Sequence, residues 1–204
     1  ACFEIIRRKY IFMGGAGGAA ISALTGIEIA LWDVAGKAQG VPVYRLLGGK
    51  FRDRVRLYVD SAHSDYNERA AEVNERGFTA IKFDLDDAEN PHKLDRWNWS
   101  VTPNELKSLV DQAIAIRTGI GPSMDLAIDL HGRYDATAGI KIAKEMEPLN
   151  LLWLEEPVPP ENIDALSKIT HATGTPICVG ENLYLRHGFR ELLQQQAADI
   201  IMPD

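Results

Sequence analysis

The 204-residue sequence has few cysteines, no excess of basic residues and no long uninterrupted apolar run. Its two cysteines, Cys2 and Cys178, provide neither a disulfide framework nor a zinc-binding pattern. The net charge of −7, with neither a phosphate-binding basic stripe nor a polybasic cluster, argues against nucleic acid or an anionic membrane as a partner. No apolar run reaches the roughly 18 residues of a membrane-spanning helix, and no signal peptide opens the sequence. We therefore expect a cytoplasmic globular protein.

The sequence does contain a spaced series of acidic residues, each of which ends a short apolar run. They are Asp129, Glu155, Glu181 and Asp204, at intervals of 26, 26 and 23 residues. Such an interval is the length of one strand, one helix and two short loops, so the acids would lie at the same end of successive parallel strands. Converging carboxylates repel one another unless a cation lies between them. The series therefore indicates a metal site.

The chain divides into two parts with different patterns. After a glycine-rich stretch, the first part contains a long helix with one apolar face, formed by Ile21, Leu24, Ile27, Leu31 and Val34. A short helix follows in residues 42–49, ended by two glycines. From residue 54, strands alternate with helices. Strands are predicted at 55–61, 78–84, 124–129, 151–155, 176–180 and 198–202, and helices at 66–75, from 103, and near 136–147, 161–171 and 184–195.

Six strand–helix units in a row predict an α/β fold with a parallel sheet covered by helices on its outer face. Their consecutive order favours an incomplete (β/α) barrel of the TIM type, with about six of eight strands. In that fold the active site lies at the C-terminal ends of the strands, where the acids fall. A solenoid of α/β repeats is the alternative, although no leucine-rich consensus is present.

Several motifs together resemble the enolase superfamily, specifically its mandelate racemase and muconate-lactonizing branch. They are SALTGIEIALWDVAGKAQGVPVYRLLGG, IKFD, IDLHG, WLEEP, GEN and IIMPD, and the resemblance covers essentially all 204 residues. It implies a capping domain followed by a modified barrel. Residues 1–53 would then be the C-terminal helical remnant of the capping domain with its linker, and residues 54–204 a partial barrel carrying the metal site. We accordingly expect the sequence to be a fragment.

The resemblance implies one Mg²⁺ held by Asp129, Glu155 and Glu181. Mg²⁺ prefers oxygen ligands and keeps positions open for water or substrate. A substrate carboxylate on the ion would lose electron density, so that the proton on the adjacent carbon is easier to remove. Lys82 would offset the surplus negative charge of the three acids. Glu156 follows a ligand directly, and we expect it to point away from the ion and to play a supporting role.

Catalytic roles follow from the same resemblance. His131 lies two residues after Asp129, which on an extended strand end would place both side chains on one face. This pair resembles the sugar-acid dehydratases of the family, in which the His protonates a departing hydroxyl group. Lys82 and Asp84 occupy a motif that many relatives fill with Lys-x-Lys. Since Asp84 cannot act as a lysine base, we expect Lys82 and Asp84 to contact the substrate, with a structural ion pair as the alternative for Lys82.

Asp204 resembles the sixth-strand acid that orients a His base at the end of the seventh strand. His171 and His187 belong to earlier units, so we expect the proton-abstracting base to be missing from these 204 residues.

The expected function is that of a Mg²⁺-dependent dehydratase of a sugar acid, inactive as this fragment. A racemase, epimerase or cycloisomerase shares the same first step and is the close alternative. A nucleotide-binding module is a third hypothesis, because residues 15–20 fit G-x-G-x-x-A. We expect a small carboxylate as substrate and a homo-oligomer formed through open sheet edges. Trp97 and Trp99, in the long segment 85–101, could form a lid, a pocket wall or a subunit contact.

Overall fold

The computed structural model describes residues 2–10, 17–61, 65–85, 92–93, 95 and 97–204. Gly15 and Ala16 of the glycine motif, and much of the segment 85–101, lie outside these residues. The chain forms two compact units. The first comprises residues 1–55 with 183–188, and the second comprises residues 56–182 with 189–204.

The first unit begins with three helices, α1 (Cys2–Tyr10), α2 (Gly18–Gln39) and α3 (Val43–Leu46). The predicted buried face of α2 is wrong beyond its first two turns. Ile21 and Leu24 are buried, whereas Ile27, Leu31 and Val34 are 49%, 42% and 62% exposed. The reason is length: α1 extends about 14 Å and cannot cover the roughly 33 Å of α2.

The sequence of α2 bears on two further expectations. By length and average hydropathy it is the one helix in the described ranges that could span a membrane, a property it shares with core helices of soluble proteins. It nevertheless carries Glu28, Asp33 and Lys37. The next element after α2 is the helix α3, not a parallel strand. The βαβ context that a dinucleotide-binding motif requires is therefore absent from the described part of this segment.

The second unit contains a six-stranded parallel sheet whose strands pair in chain order, which confirms the predicted fold class. The strands are β1 (Val59–Ser61), β2 (Ala80–Asp84), β3 (Asp125–Asp129), β4 (Trp153–Glu155), β5 (Ile177–Val179) and β6 (Ile200–Ile201). The helices from here on are α4 (Tyr66–Glu75), α5 (Pro103–Ile120), α6 (Ala136–Glu145), α7 (Ile163–Ala172) and α8 (Leu185–Gln194), with a 3₁₀ turn at Glu147–Leu149. All strands are shorter than predicted. Each begins later than its apolar run, and β5 and β6 also end one residue before it does.

Side-chain caps determine where the helices of this unit begin. Asp65, Thr102, Asp135 and Asn162 each accept a hydrogen bond from the backbone N–H three residues later. The predicted Thr102 cap is confirmed, with a distance of 3.1 Å to the Glu105 nitrogen. Because each cap stops the loop at a defined residue, it also helps to position the strand end from which that loop starts.

The sheet separates two buried layers. Ala127, Trp153 and Cys178 form a cluster on one face of neighbouring strands. Ile128, Leu154 and Ile177 alternate with them, so they lie on the opposite face, and all three are fully buried. Cys178 is 1% exposed, which is typical of a small apolar side chain. Such two-sided burial holds the ends of β3, β4 and β5 in fixed register.

Candidate metal and active site

Neighbouring strand ends bring acidic side chains into one row. Asp129 and Glu155 are the last residues of β3 and β4 and are direct partners in the parallel ladder. Both residues are fully buried. Asp84, the last residue of β2, is the partner of Asp129 on the other side. The register therefore places three carboxylate-bearing residues side by side at the C-terminal edge of the sheet.

Lys82 lies at the centre of this row. Its Nζ donates to Asp129 Oδ2 at 2.8 Å and to Glu155 Oε1 at 3.1 Å. It also lies 5.9 Å from the centre of the Tyr58 ring. The Trp153 indole donates to the other oxygen of Glu155, at 2.9 Å. Lys82 thus forms ion pairs with Asp129 and Glu155. Within the described residues it forms none with Asp84.

The pKa values show that one ammonium group does not neutralise this site. Burial opposes the charge on Lys82, but the hydrogen bonds and charges of Asp129 and Glu155 outweigh it and raise the Lys82 pKa. Burial also acts to raise the pKa of Asp129, yet hydrogen bonds from Lys82 and the His131 backbone lower it overall. Burial and the nearby Asp129 charge raise the pKa of Glu155 to about 7. The site therefore holds more negative charge than Lys82 compensates.

His131 reaches this row by an unexpected backbone path. Strand β3 ends at Asp129, and His131 adopts a left-handed φ of 46°, so the predicted extended geometry is wrong. The turn lets the His131 N–H donate to Asp129 Oδ1 at 2.9 Å. Its Nε2 lies 3.6 Å from Asp129 Oδ2. The two side chains are neighbours because of the turn and not because of strand alternation.

Glu181 and Asp204 lie at a different level from the first two acids. The partner of Glu155 on β5 is Cys178, so Glu181 lies three residues farther along the chain. It is partly buried, and its Oε1 is 3.4 Å from Asn182 Nδ2. Asp204 follows β6 by three residues and is exposed. The nearly constant spacing in sequence therefore does not give equal height in the sheet.

Glu156 has a more unusual environment than the sequence predicted. It is fully buried and adopts a φ of 36°. Its Oε2 accepts a hydrogen bond from Asn182 at 2.8 Å. Its Oε1 is the one buried side-chain oxygen or nitrogen in the described ranges that has no hydrogen-bond partner. An unpaired buried carboxylate oxygen is costly, and it marks a place where a cation or donor would be favourable.

A pocket of about 510 Å³ opens beside the row. Its lining includes His131 and Glu156, which connect it to the acids, and it further includes Trp97, Trp99, Arg133, Pro159, Glu161 and Asn182. Sequence reasoning missed Arg133, Glu161 and Asn182. Each follows a strand end by a few residues, and this position is the signal that could have identified them.

The residues present fit a bound divalent cation. Buried carboxylates outnumber the single ammonium group, Glu155 has a raised pKa, and Glu156 has an unpartnered oxygen. Within the described residues, the one group of three potential ligands whose atoms all lie within 4.8 Å of one another is Asp84, Asp129 and His131, which leaves out Glu155 and Glu181. The His131 nitrogen in this group suits a transition metal. The carboxylate oxygens are the ligands that Mg²⁺ prefers.

Comparison with known families gives matches along most of the chain. The model described as "Enolase C-terminal domain-like" matches residues 65–204. The model described as "Mandelate racemase / muconate lactonizing enzyme, N-terminal domain" matches residues 4–48. Together they cover both compact units.

Individual relatives agree with these matches. A D-xylonate dehydratase of Haloferax volcanii is 43% identical over 209 residues, which cover 99% of this chain and 50% of the relative. A D-gluconate dehydratase of Thermoproteus tenax is 35% identical over 190 residues, covering 90% of this chain and 36% of the relative. The crystal structure of a mandelate racemase/muconate lactonizing enzyme-like protein from Rubrobacter xylanophilus superposes with a TM-score of 0.92 at 50% identity, covering 99% of this chain and 56% of that one.

The chain thus spans about half the length, or less, of the curated relatives it matches. The family matches and the parallel sheet with its row of acids lead to the same assignment. The chain belongs to the enolase superfamily, in its mandelate racemase and muconate-lactonizing branch.

Proposed function

We propose that this chain carries the metal- and substrate-binding half of a Mg²⁺-dependent sugar-acid dehydratase. The observation that carries the proposal is the position of His131 beside the buried Asp129–Glu155 pair, at the C-terminal edge of a parallel sheet. Relatives named as dehydratases of D-xylonate and D-gluconate support the reaction class.

In this proposal Asp129, Glu155 and Glu181 would hold the Mg²⁺, which when bound supplies Lewis acidity toward the substrate carboxylate. Lys82 would turn from its carboxylate partners to the substrate carboxylate, where its positive charge stabilises the negative charge that develops. Asp84 would accept a hydrogen bond from a substrate hydroxyl group. Its pKa is raised by burial first and then by the nearby Asp60.

The reaction we propose is an elimination of water. A base removes the proton from C2, and the C–H electron pair forms a double bond between C2 and C3. The C3–O bond breaks as the His131 imidazolium donates a proton, so that the hydroxyl group leaves as water. The resulting enol then becomes a 2-keto-3-deoxy acid by moving its hydroxyl proton to C3.

We further propose that the 204-residue chain binds substrate without turning it over. Asp204 is the expected partner of the base. It is exposed, and in the described part of the chain no His or Lys contacts it. Lys82 is a poor base because its ion pairs raise its pKa, and His131 acts as the acid in this scheme.

Isothermal titration calorimetry with D-xylonate and D-gluconate tests the proposal. We expect binding that requires Mg²⁺ and that is abolished by D129N, since Asp129 would bind the ion directly. E145Q changes an exposed acid at the end of α6 and serves as the control. Equal binding with and without Mg²⁺, or unchanged binding by D129N, would refute the proposal. If the chain does turn substrate over, an isomerised acid without a 2-keto product would identify a racemase or epimerase instead.

A further inference from the structure

Two tryptophans of the loop between β2 and α5 are unusually exposed. Trp97 is 82% exposed and Trp99 is 50% exposed, and both line the 510 Å³ pocket. Large apolar side chains left in solvent beside a pocket are typical of a binding surface. The pocket volume also falls within the range of about 300–1,000 Å³ that small-molecule sites have.

Hydrogen bonds order the described residues around the two tryptophans. The Trp97 N–H donates to Asp95 Oδ1 at 2.9 Å, and the Asn98 N–H donates to the Asp95 carbonyl at 3.0 Å. The Trp99 carbonyl accepts from the Asp135 N–H at 2.8 Å. Asp135 is itself the N-cap of α6, so the loop is tied to the first turn of a helix. This bond fixes the backbone beside the Trp99 indole, which forms part of the pocket wall.

Apart from Gly132, Pro159 and Pro160, the remainder of the pocket lining is polar. Arg133, Glu161 and Asn182 place cationic, anionic and amide groups in the same lining as the two indoles. A carbon chain that bears hydroxyl groups has C–H bonds to pack on the indoles and O–H groups to pair with the polar side chains. A plain hydrocarbon chain could pack on the indoles but would form no hydrogen bonds with these polar side chains.

His131 gives the pocket its position relative to the reaction. It lines the pocket and also lies 3.6 Å from Asp129. In the proposed dehydration, on which this step depends, His131 faces C3 of the substrate. The carbons beyond C3 then extend into the pocket.

We propose that Trp97 and Trp99, together with Arg133, Glu161 and Asn182, bind the hydroxylated tail of the sugar acid from C4 onward. These residues give the site its preference for acids of five or six carbons over shorter hydroxy acids. The two indoles contribute packing, and the polar residues contribute hydrogen bonds.

The test compares a long and a short ligand in saturating Mg²⁺. D-gluconate has the complete tail, whereas D-glycerate ends at C3 and has none. We expect the double variant W97A/W99A to bind D-gluconate about tenfold more weakly than the parent chain, and D-glycerate within about twofold of it. Calorimetry measures the affinity for D-gluconate, and ligand-observed NMR measures the weaker affinity for D-glycerate.

Further variants separate the possible outcomes. F51A removes an aromatic side chain that is 91% exposed in the first unit and should change neither affinity. E161A, on the polar side, should weaken the binding of D-gluconate alone.

An equal loss of affinity for both ligands, or no loss for either, would overturn the inference. A changed molecular mass of W97A/W99A would also overturn it, because it would show that the indoles contact a second copy. If the parent chain binds neither acid with Mg²⁺, the proposed function itself fails, and the inference fails with it.

Discussion

At the residue scale, Lys82 has the environment with the clearest consequences. Its ammonium group contacts two buried carboxylates at once, and its side chain is 8% exposed. A metal ion that used the oxygens of Asp129 and Glu155 would compete with Lys82 for them. Lys82 therefore stabilises the site without metal and opposes metal binding at the same time.

The variant K82M should separate these two effects. Without metal, we expect it to lose about 3 kcal/mol of unfolding free energy, because two buried carboxylates lose their cation. Mg²⁺ should stabilise K82M more than the parent chain, since no ammonium group competes for the oxygens. Urea unfolding with and without Mg²⁺ measures both quantities.

K107M is the matched control for this experiment. Lys107 pairs with Asp111 on the surface of α5 and is 74% exposed, so its loss should change stability by less than about 0.5 kcal/mol. A metal-free K82M as stable as the parent chain would contradict the buried ion pairs.

Gly180 connects β5 to the proposed ligand Glu181. Its φ of 151° is unfavourable for other residues, and an added Cβ would lie 2.8 Å from the Met202 carbonyl oxygen. We expect G180A to reduce the unfolding free energy by about 1–3 kcal/mol and to weaken Mg²⁺ binding by displacing Glu181. G174A, at a glycine with free space and no positive φ, should behave like the parent chain in denaturant unfolding and metal titration. Unaltered stability of G180A would show that the backbone there can adapt.

At the element scale, one carboxylate joins the 3₁₀ turn to the loop after α7. Glu147 Oε1 accepts from the Thr173 hydroxyl at 2.8 Å and from the Gly174 N–H at 2.9 Å. The Gly174 N–H, followed by the Thr173 hydroxyl, lowers the Glu147 pKa. A lowered pKa in the folded state contributes stability above the unfolded pKa, and this contribution disappears as pH falls through the folded value.

The variant E147Q should therefore be less stable than the parent chain near neutral pH. The difference should shrink as pH falls from neutral into acid, below the unfolded Glu pKa of about 4.3, and should vanish once Glu147 is protonated in both states. Urea unfolding across this pH range measures it, and E145Q should show no comparable trend. A difference that persists unchanged into acid would indicate a role for packing and not for charge.

Much of this architecture follows from local patterns. The helix Tyr66–Glu75 and the Thr102 cap were predictable because capping residues and apolar periodicity depend on short stretches of chain. The face of α2 was not predictable, because the burial of Ile27 and Val34 depends on what packs against them. Periodicity identifies an apolar face, but it does not show that another element covers that face.

The site was predictable only in part, for a related reason. Asp129 and Glu155 end adjacent strands, so their spacing translated correctly into contact. On β5 the ladder partner of Glu155 is Cys178, so Glu181 lies beyond the strand end. Gly132, next to the turn at His131, donates to the Glu156 carbonyl, and Asp135 donates to the Trp99 carbonyl; these bonds join residues that are distant in the sequence, which spacing does not encode.

At the scale of the whole molecule, the sheet has two strands with unpaired sides. In the described residues β1 pairs with β2 alone, and β6 pairs with β5 alone. Exposed backbone groups on such edges favour pairing with another chain. We expect the 204-residue chain to self-associate through these edges.

Light scattering coupled to size-exclusion chromatography measures this directly. The expected result is a species heavier than 22.6 kDa whose proportion grows with concentration. A well-folded monomer at all concentrations would contradict it. Proline placed in β6, as I201P, should reduce association, whereas I114P tests only the general cost of proline in a helix.

The position of β3 and β4 in the middle of the sheet order has a consequence for local opening. Within the described residues, each has a neighbouring strand on both sides, whereas β1 and β6 each have one. In amide hydrogen exchange, the N–H groups of β1 and β6 should therefore exchange through small fraying motions, and those of β3 and β4 only through larger unfolding events. Asp129 and Glu155 lie on the strands that open last, so the two carboxylates would remain together while the outer strands fray.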